Sequence, residues 1–129
     1  MSDLDQARLL LAQSQKDLTA LENMLEPDKF DDSIFGFHVQ QAVEKALKAW
    51  LAALDKEYPY RHDLGELQEA LLQTGQDVAP FQNLISYTPF AVQFRYDEFE
   101  LQGLPQARPE AVQDIQNLLK KVEEIISDL

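Results

Sequence analysis

Two side chains in this 129-residue sequence, His38 and His62, exchange a proton near neutral pH by their ordinary chemistry. His62 follows Arg61, which sets a candidate general acid or base beside a cation able to stabilise phosphorane-like charge. It also precedes Asp63, and a His-Asp pair at a helix start is a normal capping arrangement, so both readings stand. His38, Gln41, Lys45 and Lys48 follow one another in steps of three, four and three, which places them on one edge of a helix. That edge either lines a polar groove for a nucleotide or partner, or forms the polar boundary of a core-facing helix. Arg95, followed by Tyr96, either faces the same groove as a phosphate ligand or pairs with Asp97, Glu98 or Glu100.

Other chemistries find little support. Without cysteine there is no disulfide framework and no thiolate metal site. No His-x-x-x-His spacing occurs, so no metal is expected. The four glycines are scattered at positions 36, 65, 75 and 103, which excludes a glycine-rich phosphate loop. No serine stands with a positioned base, and no cofactor is implied. Twenty-three acidic residues against eleven basic ones give a net charge of −12, a field that repels nucleic-acid phosphates. Lys45, Lys48, Lys56 and Arg61 are the one local concentration of opposite sign. They suit an anionic ligand or an acidic partner surface, or are balanced by acids from another helix.

Helices must position these groups. Leu4, Ala7, Leu11, Ser14, Leu18, Leu21 and Leu25 alternate steps of three and four, the seam of one amphipathic helix that Pro27 ends. A second helix is expected from about Asp31 to Glu57, with Asp31, Asp32 or Ser33 as N-cap and Pro59 closing it. Ala42, Ala46, Ala49 and Ala53 make a stripe of small residues on it, which lets a neighbouring helix come close, and Val39, Val43, Leu47, Trp50 and Leu54 widen the apolar arc. Asp63, with Glu66 three residues on, opens a third helix that carries Leu64, Leu67, Leu71 and Leu72 and stops at Gly75. A short segment follows from about Pro80 to Phe90, interrupted by Pro89. Phe94 to Arg108 reads as an ordered loop, and Pro109 as the first residue of a last helix with Val112, Ile115, Leu119, Val122, Ile126 and Leu129 along its seam. The run Phe90–Phe94 is the only β-like stretch. With no repeat or linker, residues 1–129 form a single all-α domain, an up-and-down bundle of four to five helices. No apolar run is long enough to span a membrane and the acidic start is unlike a secretory signal, so a cytoplasmic location is expected.

Three stretches in order resemble the HEPN domain family. The segment from Phe37 through His38, Gln40, Gln41, Glu44 and Lys45 to Lys48 and Ala49 is similar to its second-helix signature; Arg61-His62-Asp63-Leu64 is similar to the motif opening its third helix; Arg95-Tyr96 matches the pair that follows the fourth. Together they cover roughly residues 5 to 128. The resemblance implies a helical bundle that dimerises, a nucleotide ligand at His38, Gln41, Lys45, Lys48, Arg61, His62, Arg95 and Tyr96, and a minimal nucleotidyltransferase as partner in a two-gene, toxin–antitoxin-like module. Catalytic branches of the family cleave RNA without metal, using an Arg followed by His after four to six intervening residues. That spacing is absent before His38 and His62, and after Arg95 the corresponding positions hold Glu100, Leu101 and Gln102. A binding and interaction module is therefore the first expectation. A ribonuclease using His62 and Arg61, with RNA as substrate, is the second, and a non-catalytic helical adaptor the third. Leu- and Ile-rich seams on so small a bundle also favour a homodimer, because one core does not bury them all.

Overall fold

The computed structural model describes residues 3–58, 62–91 and 103–129. Among them are four α-helices, α1 (Asp3–Glu22), α2 (Asp32–Ala53), α3 (Leu64–Gln73) and α4 (Arg108–Ser127), a 3₁₀ helix η1 (Ala79–Ala91), and no strand. The all-α bundle is as expected. Helix α2 is its axis: α1, α3, η1 and α4 all pack against it, α1 most extensively.

The small-residue stripe explains that intimacy. Ala42, Ala46, Ala49 and Ala53 are buried, as are Ala7 and Ser14 of α1. The backbones come near enough for the Ser14 hydroxyl to donate to the Ala42 carbonyl at 2.7 Å. A hydroxyl buried this deeply needs a partner, and the neighbouring helix supplies it. Gly36 plays a matching role toward η1: a Cβ there would run into the ring of Phe90, which is itself buried. Trp50 is fully buried, edge-on to Phe81 of η1, and its indole N–H donates to Gln76 Oε1 at 3.1 Å.

The element ends follow local chemistry, with some departures. Helix α2 stops at Ala53, short of the expected Glu57. Asp55 adopts φ 58°, and the N–H groups of Asp55 and Lys56 return to the carbonyls of Ala52 and Leu51. That is a Schellman closure, and it ends the helix before Pro59 is reached. Helix α3 closes the same way, with Gly75 at φ 84° and Gln76 N–H on Leu71 O, so Gly75 is the stop its position predicts. Asp63 caps α3 by accepting the Gly65 N–H at 2.8 Å. Helix α4 begins at Arg108, placing Pro109 one residue inside rather than first. Leu25 and Leu129, expected on the apolar seams, are exposed at 38% and 64%, because both lie beyond the last turn of their helices. Phe90 and Ala91 of the β-like run belong to η1; residues 92–94 and most of the expected loop lie outside the described residues.

Candidate functional site

Gln40, Glu44 and Lys48 stand four residues apart on α2, so they form one line along its surface. The middle member is the unusual one. The Glu44 side chain is only 8% exposed, and three groups converge on it. Gln40 Nε2 donates to Oε1 at 2.9 Å, His62 Nδ1 meets the same oxygen at 2.8 Å, and Lys48 Nζ meets Oε2 at 2.9 Å. Burial raises the Glu44 carboxyl, but hydrogen bonds from Gln40, Lys48 and His62, with the Lys48 charge, outweigh it and hold the group below its ordinary value. Glu44 is therefore a carboxylate, and His62 Nδ1 must carry the proton it shares.

Gln40 ties the network to the backbone. It is completely buried, and its second amide hydrogen reaches the His62 carbonyl at 3.0 Å while its Oε1 accepts from Gln41 Nε2 at 2.8 Å. The chain enters α3 immediately after His62, through the Asp63 cap and a Leu64 N–H to Thr88 Oγ1 bond of 3.1 Å. His62 is thus gripped at its carbonyl and at one ring nitrogen, yet its side chain remains 64% exposed. Nε2 on the far side of the ring has no partner among the described residues. Lys48 also lies over the ring of Tyr58, 5.5 Å from its centre.

The rest of the expected edge turns elsewhere. His38 Nδ1 and Lys45 Nζ both meet Asp17 of α1, at 3.2 and 2.8 Å. This cluster staples α1 to α2, with His38 half-buried against Phe37. His38, Gln41, Lys45 and Lys48 do share a face, but it holds two clusters, and Gln41 joins the Glu44 network through Gln40. The basic concentration is correspondingly weaker than its composition suggests. Lys45 and Lys48 are each neutralised by a carboxylate, one from another helix, and Lys56 is exposed at the end of α2. Arg61, Arg95 and Tyr96 lie outside the described residues, so the cleft expected to unite them with α2 is represented here by His62 alone.

Sequence reasoning passed over Gln40, Glu44 and Asp17 as site residues. The four-residue spacing of Gln40, Glu44 and Lys48 was a signal for the first two. Asp17 left none, since nothing local links it to α2. It also passed over Arg108, which is 5% exposed. That guanidinium donates to the carbonyls of Met24 and Phe30 at 2.7 and 2.6 Å and to Asp32 Oδ1 at 2.9 Å, while stacking 4.8 Å from the Phe35 ring centre. Among the described residues no three His, Cys, Asp or Glu side chains gather as a metal site would require. No helix there is long and apolar enough to cross a membrane.

Compared with known proteins, residues 7–129 match the family model of the HEPN domain, nearly the whole chain. Neither the curated proteins nor the solved structures give a match.

Proposed function

The chain belongs to the HEPN domain family, and from that premise we propose that it is a dimeric, nucleotide-associated interaction module that works beside a minimal nucleotidyltransferase. The observation carrying this reading is the Glu44 network. A buried carboxylate held by three donors contributes little net stability compared with an apolar replacement. Ionisable groups shifted by such surroundings are concentrated at functional sites. Here the network presents an oriented imidazole and a lysine at the junction of α2 and α3, where a phosphate-bearing ligand or a partner's acidic group would meet N–H donors. With Glu44 anionic, the cluster carries no large positive charge, so it suits one anionic group rather than a nucleic-acid track.

The decisive experiment is joint purification. A small nucleotidyltransferase encoded beside this chain should elute with it in one complex of two-fold stoichiometry. A nucleoside triphosphate should raise the melting temperature of the assembly, and His62→Ala should remove that shift without dissolving the complex. Absence of both complex and shift would end this reading, and a mass near that of one chain at micromolar concentration would end the dimer.

One specific feature favours ribonuclease activity as the second reading. A carboxylate fixing Nδ1 leaves Nε2 as the exchangeable nitrogen, the division of labour that general acid–base catalysis uses. That activity would be confined to RNA and would arrest growth on expression, an effect lost in His62→Ala. Intact tRNA and mRNA after incubation with the purified protein, with harmless expression, would exclude it.

A further inference from the structure

A second polar recess lies between η1 and the start of α4 and shares no residue with the Glu44 network. It encloses about 320 Å³ and is lined by Gln82, Asn83, Ser86, Pro105, Gln106 and Glu110. That is the small end of the range for ligand pockets.

Its hydrogen bonding is lopsided. The Gln106 amide commits its donors to carboxylates, with Nε2 2.6 Å from Asp114 Oδ2 and 3.4 Å from Glu110 Oε1. Gln106 Oε1 is buried and accepts from nothing among the described residues. Tyr87 is fully buried, and its hydroxyl likewise has no hydrogen-bond partner among the described residues. Burial, with the charges of Asp114 and Glu110, pushes the Tyr87 phenol well above its ordinary value, opposed by the nearby Gln106 backbone. The hydroxyl therefore lies close to the Gln106 backbone, without a hydrogen bond of good geometry to it. Ser86 donates to Asn83 O at 2.8 Å, which leaves its oxygen lone pairs to accept. Buried oxygens are rarely left unpaired without a reason, and one of these belongs to Gln106, which lines the recess beside Glu110 and is bonded to Asp114.

We propose that this recess binds the guanidinium head of a small organic cation or an arginine side chain, with Gln106 Oε1 and the Glu110 and Asp114 carboxylates as acceptors. A guanidinium brings only donors, in a planar fork that suits an amide oxygen and carboxylates together. A bare metal ion lacks a third His, Cys, Asp or Glu ligand here among the described residues. An anion would be repelled by both carboxylates. A neutral amide would bring an acceptor of its own against them.

The test is a titration of the purified chain followed by backbone and side-chain amide NMR. The probes are methylguanidinium, its uncharged counterpart methylurea, and the arginine and lysine derivatives with blocked termini. Methylguanidinium and the arginine derivative should give saturable shifts at Gln82, Asn83 and Gln106. Methylurea should give none, and the lysine derivative should bind more weakly than the arginine one. Tighter binding of the arginine derivative than of methylguanidinium would assign the aliphatic stem a place and point to a protein-borne ligand; equal binding would assign the head alone. Asp114→Asn should weaken binding about tenfold, the loss of one charge-assisted contact. Glu110→Gln, at an exposed position where the fold is not at stake, should weaken it in the same direction. The proposal is overturned if no probe saturates by roughly 10 mM, a range that still captures weak recognition. It is also overturned if methylurea matches methylguanidinium, or if both variants, folded by circular dichroism, bind as the parent does.

Discussion

Glu44 and Arg108 are both charged, and both are almost fully buried, at 6% and 5% exposure, yet they are built for different ends. Arg108 is met chiefly by things that do not move: two backbone carbonyls in the α1–α2 connection, the face of Phe35, and one carboxylate at the start of α2. Glu44 is met by side chains that can exchange protons or reach water, namely Lys48 and His62, with Gln40 as the buried tie. The first arrangement locks the entry of α4 against the α1–α2 turn. The second presents chemistry to solvent. Burial of charge alone does not separate a staple from a site; the nature of the partners does.

Replacing Arg108 should give the largest loss of stability. Arg108→Met removes three donated hydrogen bonds and leaves the Met24 and Phe30 carbonyls without their partner. A loss of about 3–5 kcal/mol is expected from denaturant titration, the usual cost of breaking a buried charged group's partnership. Arg108→Lys should recover only part of this, because an ammonium cannot span three acceptors and stack on Phe35 as well. If both variants are nearly as stable as the parent, Arg108 is not the staple described here.

Glu44→Gln should cost less, about 2 kcal/mol, since Lys48 can turn to water and Gln40 keeps its bond to the His62 carbonyl. Its pH dependence sharpens the contrast. The folded-state pKa of Glu44 is depressed, so its contribution is present above the unfolded value near 4.5 and is lost as pH falls through the folded value. The stability gap between parent and Glu44→Gln should therefore narrow on acidification below about pH 4.5. A gap that stays constant from neutral to strongly acidic pH would show that the charge of Glu44 is not what the variant removes.

The smallest stability effect belongs to His62→Ala, within about 1 kcal/mol, because the side chain is largely exposed. Its effect on nucleotide-induced stabilisation should nonetheless be complete. A variant that lost stability heavily but kept ligand response would reverse the roles assigned to the two regions.

Much of the fold was legible because it is written in short-range terms. The three-four seams, the Asp63 cap and the Gly75 stop each depend on residues within one or two turns, and each is found where expected except for the last seam members, Leu25 and Leu129. The misplaced end of α2 has the same local character: Asp55 takes up a left-handed conformation, which aspartate tolerates better than most side chains but glycine signals far more often. The site was legible only in part. The sequence marks His62 as a candidate and leaves open whether the lysines beside it serve a ligand or are balanced by acids. The structure balances Lys45 with Asp17 and Lys48 with Glu44, and Glu44, which also pairs with His62, was passed over.

What the chain determined by itself is the set of helices, the stripe of alanines along α2, and the placing of a histidine immediately before the cap of α3. Those features follow from backbone sterics and a repeat of about 3.6 residues, which act between near neighbours. Only the tertiary structure decided that Asp17 meets His38 and Lys45 across 21 and 28 positions, and that Arg108 reaches back 84 and 78 positions to Met24 and Phe30. Such pairings depend on how each helix is rotated and shifted against the next. That is set by side-chain packing across the whole core, which no local pattern records.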